Sequence, residues 1–324
     1  VAAFIAFPMS SEKSLKHYGL LYGGSQAMES LYQQMARVAL TEATVLLEGE
    51  SGTGKELIAQ AVHQSSTRAS QKFIAVNCGA IPSHLIEAAL FGHEKGSFTG
   101  AARQHAGYFE HASGGTLFLD EITEMATDMQ VKLLRVLESG SFLRVGGSTE
   151  VQVNVRLIAA TNRSLQTAVK DGSLRQDLMY RLAVFPIRVP PLRERGNDIE
   201  LLAHYFLQEL NHQAGSCKTF SKNALDKIKS HGWPGNVREL KNRVHRAYIL
   251  SNDKVMLEEP MPPQSAAKPI LVNGMLNFSV GTPLAEAQRE IILATLQHFS
   301  GNKRLTAATL GISLKTLYNR LKEY

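Results

Sequence analysis

Seven residues, Gly49-Glu50-Ser51-Gly52-Thr53-Gly54-Lys55, fit GxxxxGK directly after the apolar run Val45-Leu46-Leu47 and lead into an amphipathic stretch. Glycines let successive backbone N–H groups turn inward, Lys55 adds a point charge, and the start of a helix adds its dipole. The spacing therefore predicts a cradle for the phosphates of a nucleotide such as ATP. The general pattern places Ser or Thr next, as a hydroxyl ligand for Mg2+, but Glu56 stands there. A glycine-rich turn that binds nothing has the same composition, and the strand-to-helix context argues against it. A second run, Thr116-Leu117-Phe118-Leu119-Asp120-Glu121, is an apolar strand ending in two carboxylates. Paired acids after a strand are commonly a solvated loop. Joined to the phosphate loop, they read as Asp120 for the metal and Glu121 for the base that polarises water.

Between these two runs lies Gly96-Ser97-Phe98-Thr99-Gly100-Ala101. A large ring on glycine-bounded backbone is costly to expose unless something binds it. Phe98 could instead pack into the core, but the flanking glycines and the preceding His93-Glu94-Lys95 favour exposure.

Short apolar runs alternate with amphipathic stretches up to Pro190, the pattern of a parallel sheet covered by helices. Strands are expected at 45–47, 73–76, 116–119 and 155–160, and helices at 28–40, 55–65, 85–90, 128–139 and 176–182. After Pro190-Pro191 the strands are expected to stop, with helices at 199–213, 221–230 and 237–251. The stretch 257–283 contains Pro, Ser and Gly without a sustained period and reads as a linker. Leu284, Ile291, Ile292, Leu296 and Phe299 then form one helical stripe opened by Thr282-Pro283.

The chain has 324 residues and a formal net charge of +6. The excess gathers at the end, where Lys303, Arg304, Lys315, Arg320 and Lys322 face only Glu323. A short helix over 305–310, the turn Gly311-Ile312-Ser313 and a second helix from Leu314 make a helix-turn-helix. Leu314, Leu317 and Leu321 are its expected inward stripe. Lys315, Thr316, Asn319 and Arg320 project elsewhere, towards phosphates or base edges of double-stranded DNA, and Lys303 and Arg304 read as phosphate contacts. A basic amphipathic helix is often only a solvated surface; the turn and the local charge favour DNA. Cys78 and Cys217 have no metal-ligand spacing, no apolar run approaches the ~20 residues of a membrane span, and a reduced, cytoplasmic protein is expected. The chain starts at Val1, so a fragment lacking an amino-terminal portion is expected.

These blocks resemble the AAA+ bacterial enhancer-binding proteins, the activators of RNA polymerase carrying sigma-54, over nearly the whole chain. The resemblance implies an α/β fold, an AAA+ P-loop NTPase with parallel sheet and helical lid, plus a small all-α Fis-like helix-turn-helix domain. The expected partition is 1–22 as linker or remnant of a regulatory region, 23–190 and 191–252 as the two AAA+ subdomains, 253–281 as linker and 282–324 as the DNA-binding domain. Glu56 matches the family's GESGTGKE. Asp120 and Glu121 match its Walker B strand, Thr161-Asn162 its sensor I, and Asn77 the residue that restrains the catalytic Glu. Arg175 and Arg181 match arginine fingers reaching a neighbour's nucleotide, although two such arginines are otherwise ordinary surface residues. Trp233-Pro234-Gly235-Asn236-Val237-Arg238 matches sensor II, which would bring Arg238 to the γ-phosphate. The hexapeptide corresponds to the GAFTGA loop that contacts sigma-54, with Ser97 in place of Ala. The implied protein is an ATPase that assembles from dimer to hexameric ring and remodels the closed sigma-54 holoenzyme complex. A regulator using ATP only for assembly and acting without sigma-54 shares much of the pattern, and a clamp loader or helicase shares the ATPase core.

Overall fold

The computed structural model describes residues 17–98, 101, 103–257, 271–272, 275–276, 284–299 and 301–323. Thr99, Gly100, residues 1–16 and most of the expected linker lie outside the described residues. The chain divides into two units, Val1–Leu257 and Glu258–Tyr324.

The first unit is built on five parallel strands: β1 (Val45–Glu48), β2 (Phe73–Asn77), β3 (Thr116–Asp120), β4 (Arg156–Thr161) and β5 (Phe185–Arg188), in spatial order β2-β3-β4-β1-β5. Val45, Leu46, Leu47, Leu117, Leu119 and Ile158 are all buried, as a sheet covered on both faces requires. One layer of core joins β1 to α1 (Gln26–Ala39) and α2 (Lys55–Gln64) through Met28, Leu31, Met35, Ile58 and Val62. The other carries α3 (Ser83–Phe91), α4 (Tyr108–His111), α5 (Thr127–Ser139), α6 (Leu165–Lys170) and α7 (Gln176–Leu182). Helix α1 starts where the Ser25 side chain accepts from the Met28 amide at 3.3 Å. Register sets Asn77 beside Asp120 and Thr161 beside Glu48, so the strand ends that bear the expected site residues lie at the same end of the sheet.

Arg156 is the largest polar side chain fully enclosed by this sheet, at 1 % exposure. Its guanidinium donates to the carbonyls of Val38 at 2.7 Å and Ala39 at 2.9 Å, which end α1, while its Nε has no partner. A cation at a helix carboxyl end is favourable, and these carbonyls have no water to turn to. Arg156→Met is expected to lower unfolding stability by about 1–3 kcal/mol, read from urea denaturation.

The helices α8 (Asp198–Ala214), α9 (Lys222–Ser230) and α10 (Asn236–Leu250) form a lid subdomain around Trp233, which is buried and donates from Nε1 to the Ile228 carbonyl at 2.9 Å. Val255 and Leu257 also pack into this core. Strands do not stop at Pro190: Thr219–Phe220 pairs in parallel with Lys254–Val255, and Leu271–Val272 pairs with Met275–Leu276 within the expected linker. Two-residue pairings are too short to leave a period in the sequence.

In the second unit, α11 (Leu284–His298), α12 (Lys303–Thr309) and α13 (Leu314–Glu323) enclose a small core of Ile292, Ala307 and Leu317, flanked by Leu310, Ile312 and Leu321. Gly311, at φ +65°, makes the turn between α12 and α13. Leu314 departs from the expected inward stripe and is 39 % exposed. It opens α13 one turn before Leu317, beyond the patch that short α12 covers. Ile291 is likewise on the exposed side of α11.

Candidate functional site

The phosphate loop leaves β1 with the Gly49 amide bound to the Thr161 carbonyl at 3.1 Å. Gly52 and Gly54 take φ of +78° and +97°, turns that L side chains rarely make. At Gly52 a Cβ would also stand 2.4 Å from the Gly235 carbonyl oxygen, so the loop and the lid meet backbone to backbone. Lys55 is buried, with Nζ donating to the carbonyls of Gly49 at 2.7 Å and Glu50 at 3.2 Å. Burial pushes its ammonium pKa down, while Asp120 and Glu121 pull it up. The charge is therefore held over the loop by groups that a phosphate can replace. Thr53 spends its hydroxyl inside the loop, donating to the Glu50 carbonyl at 2.8 Å. Glu56 is exposed and accepts from Gln60 at 3.4 Å.

At the end of β3, Asp120 accepts the Glu121 amide on Oδ1 at 3.0 Å. Glu121 adopts φ +54° and starts a short turn of helix, which swings its carboxylate out of the strand direction. A Cβ at Gly79 would meet Glu121 Oε2 at 2.7 Å and Asn77 Oδ1 at 3.4 Å, so the acid and the amide flank the same glycine. Asn77 accepts from the Ala80 amide at 3.0 Å, and among the described residues no hydrogen bond joins it to Glu121. Thr161 is buried with Oγ1 bonded to the Arg163 amide at 3.1 Å, whereas Asn162 is exposed.

From the lid, the Arg238 amide donates to the Gly52 carbonyl at 3.3 Å and its guanidinium to Ser51 Oγ at 3.2 Å. The expected sensor II residue and the phosphate loop are thus in contact. Arg175 and Arg181 stand at the two ends of α7 and are exposed. Arg175 forms a fork on Asp177 at 3.0 and 2.6 Å, and Arg181 donates to the Leu137 carbonyl at 3.2 Å; neither is bonded to a residue of the phosphate loop.

The hexapeptide rises from a hairpin base in which His93 and His105 exchange both backbone bonds at 2.9 Å. The Gly96 amide closes on the Ala101 carbonyl at 2.8 Å. Phe98 is 40 % exposed, with its ring against the edge of His93 at 4.9 Å. A second hairpin, Ser141–Leu143 with Glu150–Gln152, supports the loop. The Glu94 amide bonds the Val145 carbonyl at 3.0 Å, and Arg144 bridges Glu94 at 2.9 Å and Glu110 at 2.9 Å. This support was absent from the sequence reading, because the hairpin spans a Val145-Gly146-Gly147-Ser148 stretch with no strand period. Ser97 is seated against Gly146, and its buried Oγ has no partner among the described residues. Ser97→Ala should therefore tighten the loop by about 1 kcal/mol, measured as roughly fivefold slower hydrogen exchange at the Gly96 amide.

Lys315, Thr316, Asn319 and Arg320 are all exposed along α13, whereas Leu317 is buried. Thr316 is partly committed to the helix start, its amide donating to Ser313 Oγ at 3.0 Å. Lys303 and Arg304 open α12 rather than preceding it, and the Lys303 ammonium sits 4.8 Å from the Tyr318 ring centre. Of the two cysteines, Cys78 is buried, with its thiol pushed up to about 12 mainly by burial, and Cys217 is exposed. No helix of the described residues is long and apolar enough to cross a membrane.

Three family models match in sequence: a sigma-54 interaction domain over residues 21–188, an AAA+ ATPase lid domain over 193–270 and a bacterial regulatory protein of the Fis family over 283–324. The chain is 45 % identical to the transcriptional regulatory protein FlbD of Caulobacter vibrioides, covering 92 % of this chain and 69 % of that protein. It is 43 % identical to the regulatory protein AtoC of Escherichia coli, over 95 % of this chain and 68 % of the relative. Among solved structures, NtrX from Brucella abortus matches with a TM-score of 0.69 and 35 % identity, over 93 % of this chain and 68 % of that one. Phosphate loop, exposed Phe98 loop, acidic strand end, lid and helix-turn-helix thus occur in one chain under these three matches, and the chain belongs to the AAA+ enhancer-binding proteins, the ATP-hydrolysing, DNA-binding activators of sigma-54-dependent transcription.

Proposed function

We propose that this chain couples ATP hydrolysis to movement of the Phe98 loop against sigma-54 within a hexameric ring in the cytoplasm. The observation that supports the reading is that nucleotide site and loop are built into one subdomain. Glu121 and Asn77 flank Gly79 at the end of the sheet, and the loop's own supports, Glu110 and Arg144, belong to the same subdomain. Residues 23–190 and 191–252 act as the hydrolysing core and its lid, and 282–324 as the part that holds DNA.

The backbone N–H groups of Gly49, Glu50, Ser51, Gly52, Thr53 and Gly54, with Lys55, bind the phosphates of ATP. Asp120 suits Mg2+: it is a carboxylate at the mouth of the loop with Oδ1 already oriented by an amide, whereas the Glu56 side chain turns outward and Thr53 is spent. When bound, that ion neutralises charge on the phosphates. Glu121 polarises the attacking water, and Asn77 restrains it through their shared glycine. Thr161 and Asn162 sense the γ-phosphate from β4, and Arg238 from the lid. Arg175 and Arg181, held at the rim by exposed partners, reach the nucleotide of the adjacent subunit. Gly96, Ser97, Gly100 and Ala101 shape the loop, while Phe98 and Thr99 make the contact. Lys303, Arg304, Lys315 and Arg320 meet DNA phosphates, and Thr316 and Asn319 stand where base edges lie.

The test is open-complex formation by the purified chain on a supercoiled template with sigma-54 holoenzyme, read by permanganate reactivity of unpaired thymines. Opening is expected with ATP and absent with a non-hydrolysable analogue. Equal opening with the analogue would sink the coupling and favour a regulator that uses ATP for assembly alone.

A further inference from the structure

A carboxylate in a loop that binds phosphate needs an explanation, because like charge opposes the ligand. The Glu50 carboxylate is engaged by Arg193 and Asn236. Its two oxygens accept a fork of hydrogen bonds from Arg193, one of them at 2.8 Å, and Oε2 also accepts from Asn236 Nδ2 at 3.1 Å. Arg193 belongs to the short helical turn Leu192–Glu194, and Asn236 opens α10. Asn236 is fully buried with φ +52°, an uncommon conformation for any residue but glycine. Its side chain ties three segments together: Nδ2 reaches Glu50 and the Ser51 carbonyl at 3.0 Å, and Oδ1 accepts the Leu192 amide at 2.8 Å. Two residues further along the same helix, Arg238 rests on Ser51 and Gly52.

We propose that Glu50 is a positioning residue rather than a phosphate ligand: paired with Arg193 and gripped by Asn236, it latches the start of α10 onto the phosphate loop and thereby fixes where Arg238 stands. The inference deepens the nucleotide-site reading above and rests on it. Arg193 has two effects in this arrangement. It supplies the second half of the latch, and it cancels a negative charge that would otherwise face the incoming ATP. Hydrogen bonds from Arg193 and Asn236 hold the Glu50 carboxyl far down, at about 2, so the pair stays ionised across the working pH range. The phosphate donors themselves, the loop amides and Lys55, do not depend on the latch. Binding and turnover should therefore separate.

The test compares steady-state ATP hydrolysis by the full chain and its variants, at protein concentrations where the rate per subunit no longer changes. Glu50→Gln keeps the shape of the side chain and removes the charge. It is expected to lower kcat by about a hundredfold through misplacement of Arg238, with KM for ATP nearly unchanged. Arg193→Gln leaves Glu50 unneutralised and should lower kcat similarly while raising KM by about tenfold. The double variant should recover the original KM and have a kcat no lower than either single change, since both break one latch. Arg193→Lys restores the charge without the fork, so its KM should be normal and its kcat still low. If Glu50→Gln does not fold, this last variant carries the test. A Glu50→Gln protein with high KM and full kcat would make Glu50 a direct ligand and overturn the latch. Additive losses in the double variant would overturn it too. Should the unchanged chain itself fail to hydrolyse ATP, the reading of the nucleotide site falls first and the latch with it.

Discussion

Phe98→Ala is expected to abolish open-complex formation at a sigma-54 promoter while ATP hydrolysis persists. The loop does not need the ring to hold its shape. Its base is closed by the His93–His105 pair and by the Gly96 amide on Ala101, and it is buttressed by Val145 and Arg144 from the second hairpin. Phe98 is 40 % exposed and, among the described residues, its one ring–ring contact is with His93. Truncation therefore removes apolar surface offered to a partner and little else. An aromatic anchor at the centre of a contact contributes about 2 kcal/mol or more, so promoter opening should fall by about 30-fold at least. The phosphate loop, Asp120 and Glu121 are built from other segments, and their turnover should stay within about twofold. Hydrolysis and promoter opening measured on the same preparation decide the matter. Normal opening by the variant would remove Phe98 from the contact.

Glu121→Gln should produce the complementary defect: ATP still binds, but hydrolysis falls by about 10²–10⁴-fold, the usual contribution of a positioned general base. The isostere keeps the left-handed φ of +54° and the approach to Gly79, so the site's shape survives. Only the ability to take a proton from water is lost. Fluorescent-nucleotide binding and phosphate release separate the two effects. The variant also divides the competing modes of regulation. If activation requires turnover, the protein binds ATP and DNA and opens no promoter; if ATP serves only to assemble subunits, regulation persists.

Much of this architecture was legible because it is local. Four of the five strands of the main sheet and the helices of the first unit other than the short α4 and α6 follow from apolar periods, and the phosphate loop and the Asp120-Glu121 strand end from short motifs in that context. The remaining strand, β5, contains Pro186, which removes a ladder donor and speaks against a strand reading; its place at the sheet edge, paired only with β1, makes the proline tolerable. Residues that act across the fold left no such trace. Arg156 meets α1 from 117 or more positions away, and Glu50 meets Arg193 from 143. Arg195, which donates to the Thr53 carbonyl at 2.9 Å, and Asp198, which accepts the Gly24 amide at 2.8 Å, look like ordinary charges until the lid closes over them. Hydrophobic stripes also over-predict burial at helix starts, as Leu314 shows.

The small core of the second unit has a thermodynamic consequence. Among the described residues the apolar side chains enclosed there are Ile292, Ala307 and Leu317, a small core for high stability on its own. A core of that size leaves the unit's stability sensitive to any partner that binds its folded form. The unit's association with DNA should then carry a heat-capacity change more negative than the contact area alone predicts, and calorimetric binding enthalpies should steepen with temperature. Occupancy of the DNA site would thereby depend on temperature as well as on sequence.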